Sequence, residues 1–210
     1  MRTDEEQIIH FGRQMITAGL TTGTGGNLSV VNREEGFISI TPSGVPYAKI
    51  TPQQIAVIGF DGLHRCGTGK PSSETAFHLA LYKARPDIRA VVHTHSVYAT
   101  TFACLGEEIP AVHYLVGFCG YKVPVAPYAT FGTAELADNI CRAIGDVNAV
   151  LLENHGLVAV GKDLPHAFAV AEEIELVSRI YYQARCIGTP KILPDTEMKR
   201  VLEKFKSYGS

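Results

Sequence analysis

The stretch SSETAFHLALYKARPDIRAVVHTH (72–95) predicts a helix, a stop and a strand in succession. Ser72 or Ser73 can cap the helix, and Pro86 ends it because proline cannot continue a helix. The apolar positions follow the i, i+3, i+4, i+7 spacing of a helix face: Phe77, Ala80, Leu81 and Ala84. The strand that follows, AVVHTH (90–95), is apolar at its start and polar at its end.

Similar helical and strand-like segments alternate on both sides of this stretch, which predicts the α/β class. The first helix begins at Thr3, which has capping-box spacing to Glu6, and ends near Gly19. The predicted strands are 28–31, 37–40, 56–60, 149–153 and 157–160, and the later helices are 133–145, 163–187 and 195–205. We find no repeat or linker, so 1–210 is predicted to be a single domain.

Composition excludes several classes of partner. The chain has 210 residues, 46% of them hydrophobic, and a formal net charge of -2, so no basic surface predicts nucleic-acid binding. No apolar run approaches the roughly 20 residues that cross a membrane, and the N-terminus lacks the apolar core of a signal peptide. The cysteines are scattered and odd in number, which predicts a reducing, cytoplasmic setting.

Two histidines in the strand 90–95 suggest a metal site. His93 and His95 are two residues apart, so both side chains point to the same face of the strand. His155, in the turn Asn-His-Gly between two strands, can supply a third nitrogen, and three histidines with an open position are typical of catalytic zinc. The alternative is that these are ordinary core or surface histidines. His78 is four residues after Glu74 on the same helix face; it could be a further ligand, but packing or an indirect contact is expected.

Other segments carry weaker signals. Glu74 in the first helical turn could move a proton near the metal, although acidic residues favour helix N-termini for dipole reasons alone. Three short segments are rich in small donors that could hold a phosphate: Gly25-Gly26-Asn27, Ser43-Gly44 and Ser72-Ser73. Each of them alone is also compatible with an ordinary turn.

Taken in order, these segments resemble the class II aldolase/adducin family over nearly the whole chain. The matching stretches are GTGGNLS (23–29), ITPSGVPY (40–47), GKPSSE (69–74), VVHTHS (91–96), IPAVHY (109–114), APYATFGT (126–133), NHGL (154–157) and VLEKFKSYG (201–209). The resemblance implies a three-layer α/β/α domain on a largely antiparallel sheet, assembled as a homotetramer. Compared with the family pattern, Gly25 replaces an alanine, Ser43 replaces a threonine, and 117–122 differs.

The resemblance also implies roles for individual residues. One Zn²⁺ per subunit would be bound by His93, His95, His155 and Glu74, and Glu74 would become the acid/base when substrate arrives. Tyr114, reaching the site of a neighbouring subunit, would exchange the proton of the aldehyde oxygen. The implied substrate-binding residues are Gly26, Asn27, Ser43, Gly44, Ser72 and Ser73 for the phosphate, and Phe131 and Tyr208 for the aldehyde end.

The implied reaction is cleavage of L-fuculose 1-phosphate, or a similar ketose 1-phosphate, to dihydroxyacetone phosphate and L-lactaldehyde. The alternatives on the same scaffold are a 5-deoxypentulose-1-phosphate aldolase, a pentulose-phosphate 4-epimerase, a dehydratase and a decarboxylase. A non-catalytic, adducin-like interaction module is a further alternative, but it would be expected to lack the histidines and Glu74.

Overall fold

The computed structural model describes residues 3–206, and within them the chain forms one eight-stranded sheet flanked by helices. The strands are β1 Asn27–Asn32, β2 Phe37–Ile40, β3 Ala56–Gly59, β4 His64–Cys66, β5 Ala90–Thr94, β6 Val125–Ala126, β7 Ala149–Leu152 and β8 Gly156–Gly161. The helices are α1 Asp4–Thr17, α2 Thr75–Ala84, α3 Val97–Leu105, α4 Ala134–Ile144, α5 Leu164–Ile187 and α6 Asp195–Phe205. None of these helices combines the length and apolarity needed to cross a bilayer.

The sheet corrects one part of the predicted fold. Its strand order is β4-β3-β2-β1-β5-β8-β7-β6, and neighbouring strands are antiparallel except for β6 and β7, which run parallel. The sheet is therefore mixed, although mostly antiparallel. The reason is that α4 lies between β6 and β7 in the sequence, and a helical crossover returns the chain in the same direction.

Side chains alternate between the two faces of the sheet, and each face has its own helices. In β5, Ala90 and Val92 belong to the core under α1, α3 and α5, whereas Val91 belongs to the core under α2 and α4. The strands β7 and β8 alternate in the same way. The predicted three-layer arrangement is therefore present, and the apolar runs of these strands reflect burial on both faces.

The start of α2 differs from its prediction. The helix begins at Thr75, and its N-cap residue is Glu74 rather than Ser72 or Ser73. The Glu74 side chain makes no capping bond; it turns away from its own helix, while its backbone N–H donates to the Ser72 hydroxyl at 3.2 Å. The carboxylate of Glu74 is therefore available for contacts other than helix capping. By contrast, the capping box of Thr3 and Glu6 at α1 is confirmed.

Two glycines allow backbone segments to approach the end of the central strand β5. A Cβ atom on Gly26, which has φ +70°, would lie 2.4 Å from the carbonyl oxygen of His93. A Cβ atom on Gly156 would lie 2.3 Å from the carbonyl oxygen of Thr94. These contacts bring the loop before β1 and the first residue of β8 against the same end of β5.

Candidate metal centre and the pocket above it

Three histidines converge at this end of the sheet. His93 is fully buried near the end of β5, and His95 directly follows that strand. His155 lies in the β7–β8 turn beside Asn154, which has φ 54°. One ring nitrogen from each lies within 4.8 Å of the other two. The Nε2 atoms of His93 and His95 are 3.1 Å apart, and tetrahedral ligands on zinc would be separated by about 3.3–3.4 Å.

A carboxylate completes the cluster. The Oε2 atom of Glu74 lies 3.2 Å from Nε2 of His93, and its Oε1 atom lies 3.3 Å from Nε2 of His155. The side chain is buried, and Oε1 has no hydrogen-bond partner among the described residues. A buried carboxylate oxygen without a donor is costly unless a cation approaches it. The donor set of three imidazole nitrogens and one carboxylate oxygen therefore fits a divalent metal ion.

The electrostatics of the cluster also suit a metal. Burial and the neighbouring histidines lower the pKa of His95 and of His155 to about 4, so both rings are neutral near pH 7 and can offer a lone pair. Burial would raise the pKa of Glu74, but the charge and hydrogen bond of His93 hold it below its usual range, with smaller contributions from His155, which is charged at the low pH where this carboxyl titrates, and from the Asn27 amide. The carboxyl group is therefore ionised.

A backbone hydrogen bond on the side away from the cluster fixes the orientation of the His93 ring. Its Nδ1 atom donates to the carbonyl oxygen of Leu157 at 2.9 Å, which leaves Nε2 directed at the cluster. Burial would lower the pKa of this ring, but the adjacent Glu74 carboxylate outweighs burial and raises it. A backbone partner on the far nitrogen is the usual support for a metal-binding histidine.

A pocket of about 340 Å³ lies directly over the cluster. Three loops line it, namely 24–27, 42–44 and 72–74, together with His95, His155 and Phe131. The three segments predicted to hold a phosphate are thus brought together around Glu74. The lining residues in the described part of the chain include no lysine or arginine, so an anion there would depend on backbone N–H groups and hydroxyls as donors.

The comparisons with known proteins agree with this site. The model of the class II aldolase and adducin N-terminal domain matches residues 6–182. This chain belongs to the class II aldolase and adducin family. The membership expected from the sequence is therefore confirmed.

Three relatives of this aldolase match along nearly their whole length. The 5-deoxy-D-ribulose 1-phosphate aldolase of Bacillus thuringiensis serovar kurstaki is 49% identical over 209 residues, which are 100% of this chain and 98% of the relative. The L-fuculose phosphate aldolase of Escherichia coli K12 is 43% identical over 205 residues, covering 97% of this chain and 94% of the relative. A solved L-fuculose 1-phosphate aldolase structure superposes with a TM-score of 0.95 at 44% identity, covering 98% of each chain.

These matches separate the enzyme from the non-catalytic alternative. The relatives are aldolases, and the present chain carries three converging histidines and an ionised Glu74. The chain is an enzyme, a class II aldolase of the carbon–carbon lyase type.

Of the aromatic residues assigned to the aldolase site, Tyr114 lies outside the pocket of its own chain. Tyr114 begins the short 3-10 helix Tyr114–Phe118, is 48% exposed, and does not line the pocket of its own chain. Its ring instead lies near His113, at 4.7 Å between ring centroids, and near Phe205 of α6, at 6.3 Å. Tyr208 falls outside the described residues.

Residues next to the pocket loops and Glu74 support the site in ways that the sequence pattern did not reveal. The hydroxyl of Tyr47 donates to the carbonyl oxygens of Gly26 at 2.8 Å and Gly25 at 3.2 Å, so it holds the first pocket loop. Asn27, expected at the phosphate, donates its side-chain amide to Oε2 of Glu74 at 2.8 Å. His78 is fully buried next to Asn27, as the expectation of an indirect contact allowed.

Proposed function

We propose that this aldolase cleaves the C3–C4 bond of a ketose 1-phosphate and releases dihydroxyacetone phosphate and a short aldehyde that ends in a methyl group. One observation carries the proposal: the ionised Glu74 and two of the three clustered histidines, His95 and His155, line a pocket whose other walls are three loops rich in backbone N–H groups and hydroxyls. L-Fuculose 1-phosphate and 5-deoxyribulose 1-phosphate both meet this description, and relatives are named for each.

Zinc is the metal that this donor set favours. Three histidine nitrogens match the usual ligands of catalytic zinc, and His93, His95 and His155 together with Glu74 would hold the ion. When bound, a divalent zinc ion supplies Lewis-acid stabilisation of the negative charge that cleavage leaves on the ketone half of the substrate. No Schiff-base lysine is then required.

The proposal assigns the proton on carbon to Glu74. Breaking the C3–C4 bond leaves the electron pair on the ketone half, and C3 must then gain a proton. Glu74 is ionised, buried, and directed into the pocket beside the histidines, so it can carry a proton to and from C3. Its bond from Asn27 fixes the position of one oxygen and leaves the other free of a hydrogen-bonding donor in the described residues.

The phosphate end is assigned to the loops around the pocket. Gly26 and Gly44 both have positive φ angles, so their backbone can approach an anion closely. Ser43, Ser72 and Ser73, which also line the pocket, add hydroxyl groups. Asn27 completes this set, although its side-chain amide is engaged by Glu74 in this structure.

The aldehyde end is assigned to Phe131, Tyr114 and Tyr208. Phe131 lines the rim of the pocket and is 64% exposed, so an apolar surface is available for a methyl group. Tyr114 is absent from this pocket and half exposed, which supports its contribution to the site of a neighbouring subunit in a homotetramer. There it would exchange the proton of the aldehyde-derived oxygen.

A panel of ketose 1-phosphates tests the proposal. Purified, zinc-loaded protein is mixed with L-fuculose 1-phosphate, 5-deoxyribulose 1-phosphate and a ketose 1-phosphate without a terminal methyl, and dihydroxyacetone phosphate is quantified. We expect release from at least one of the methyl-ended substrates, and the higher identity to the deoxyribulose enzyme favours that sugar. Release from none of them, alongside turnover of a pentulose 5-phosphate, would assign the chain to the epimerases instead.

A further inference from the structure

A chain of hydrogen bonds runs from Glu74 into the core, on the side away from the pocket. Asn27 donates from Nδ2 to Oε2 of Glu74 at 2.8 Å, and its Oδ1 atom lies 2.5 Å from Nε2 of His78. The Nδ1 atom of His78 lies 2.6 Å from the hydroxyl of Ser29, which lies 2.8 Å from the hydroxyl of Tyr82. The mechanism proposed above uses none of the residues behind Asn27.

The charge on Glu74 sets the direction of the bonds that link Glu74, Asn27, His78 and Ser29. An ionised carboxylate can only accept, so Asn27 must present its amide NH₂ to Glu74 and its carbonyl oxygen to His78. A carbonyl oxygen also only accepts, so His78 must carry its proton on Nε2. The neutral ring then accepts at Nδ1 from the hydroxyl of Ser29, while Tyr82 donates to the backbone oxygen of Ser29 at 2.9 Å.

Burial keeps this arrangement rigid. Asn27 is 3% exposed, and Ser29, His78 and Tyr82 are at most 1% exposed. Burial also lowers the pKa of His78 to about 3, so the ring stays neutral near pH 7. Phe77 stacks on the imidazole with 4.5 Å between ring centroids, which fixes the plane of the ring. A fully paired polar chain in a core has a single arrangement, because any rotation leaves a buried group without a partner.

This geometry excludes two simpler roles for His78. Both ring nitrogens are engaged by Asn27 and Ser29, so neither can bind the metal. An ordinary core position would carry an apolar residue, since a histidine must find two polar partners when it is buried. Here the partners link it to the carboxylate assigned to the proton transfer.

We propose that His78 is a positioning residue that acts through Asn27 to hold the Glu74 carboxylate in the orientation for proton transfer at C3. The proposal rests on the function proposed above. Without the Nε2 donor, Asn27 is free to rotate its amide, and Glu74 loses the hydrogen bond that Asn27 donates to Oε2. Partners of this kind, one step behind a reacting or metal-binding group, commonly contribute about 10–100-fold to activity.

Two substitutions at the same position separate positioning from packing. His78→Leu removes the donor, whereas His78→Gln keeps an amide N–H near the place of Nε2. We expect His78→Leu to lower kcat by about 10–100-fold with little change in KM, and His78→Gln to recover most of the loss. Rates are expressed per equivalent of bound zinc. Leu81→Val is the matched control. Leu81 is fully buried on the same helix but takes no part in the hydrogen-bond chain, so this substitution should leave kcat within about twofold.

Two further measurements address the proton step and the bond directions. In deuterated water, exchange of the C3 hydrogen of dihydroxyacetone phosphate should slow in His78→Leu in proportion to kcat. Nitrogen NMR of the histidine rings in the wild-type protein should find His78 protonated at Nε2. A kcat for His78→Leu within twofold of wild type, no rescue by His78→Gln, or a proton on Nδ1 would overturn the proposal.

Failure of the proposal can be told apart from failure of the proposed function. If the wild-type enzyme cleaves no ketose 1-phosphate, the function is wrong, and the NMR result alone decides the hydrogen-bond chain. If the wild-type enzyme cleaves one and His78→Leu does so equally well, only the positioning role is wrong.

Discussion

Replacing Glu74 by glutamine removes the group that we assign to proton transfer while leaving its shape almost unchanged. The amide oxygen can still accept the bond from Asn27, which is 2.8 Å from Oε2, and the amide nitrogen can occupy the position of Oε1, which has no donor among the described residues. The variant should therefore fold. It also removes the carboxylate that pairs with His93 in the folded state, so we expect the metal-free protein to lose some stability while still folding.

The substitution should lower kcat, because it removes the group that transfers the proton. A positioned acid or base typically contributes about 10²–10⁴-fold, which corresponds to about 3–5 kcal/mol of the barrier. We therefore expect kcat of Glu74→Gln to fall by at least about 10²-fold for the substrate found in the panel. Glu35→Gln, an exposed residue in the turn between β1 and β2, is the matched control and should retain full activity.

The assay is release of dihydroxyacetone phosphate, with zinc per chain and the thermal unfolding midpoint measured on the same samples. Near-normal turnover by folded, zinc-loaded Glu74→Gln would remove Glu74 from the mechanism. A fall in activity that follows the loss of zinc, and disappears when zinc is in excess, would reduce Glu74 to a metal ligand.

Three further substitutions test other parts of the site. Gly26→Ala places a Cβ atom 2.4 Å from the carbonyl oxygen of His93 at a positive φ, so it should cost at least about 1–2 kcal/mol in thermal unfolding; an unchanged midpoint would contradict this. His155→Ala removes one of three nitrogen ligands and should lower zinc per chain after dialysis, measured by elemental analysis, whereas undiminished zinc would refute its role. Tyr114→Phe should slow cleavage by about 10²-fold or more with zinc retained. Its subunits mixed with Glu74→Gln subunits should regain about a quarter of wild-type activity if the tyrosine acts across an interface, and no activity if it does not.

Strands buried on both faces and helices with clear caps could be predicted from the sequence. These features depend on residues that are close together in the sequence. Examples are the strand segments 90–95 and 149–153 and the capping box at Thr3. The two-residue strand β6 is too short to leave a pattern, and its parallel pairing with β7 depends on α4 returning the chain. The helix α3 was also missed, since VYATTFACL (97–105) has no polar face to reveal helical spacing.

The candidate site was less accessible to sequence reasoning than the fold. A His-x-His pair fixes two side chains on one face of a strand, but the third histidine comes from a turn brought close only by the order of β5 and β8. Glu74 could not be distinguished from a helix-capping acid, because its direction depends on contacts with Asn27 and His93. The identification of Tyr114 and Tyr208 rested on family resemblance, and their roles stay predictions.

The dependence of cleavage on bound metal tests the central claim most directly. The protein is stripped with a chelator and titrated with zinc, while dihydroxyacetone phosphate release from the active ketose 1-phosphate is followed. The account predicts that activity disappears with the metal and rises linearly with zinc to a plateau at one equivalent per chain. Full activity in stripped protein with no measurable metal would contradict it.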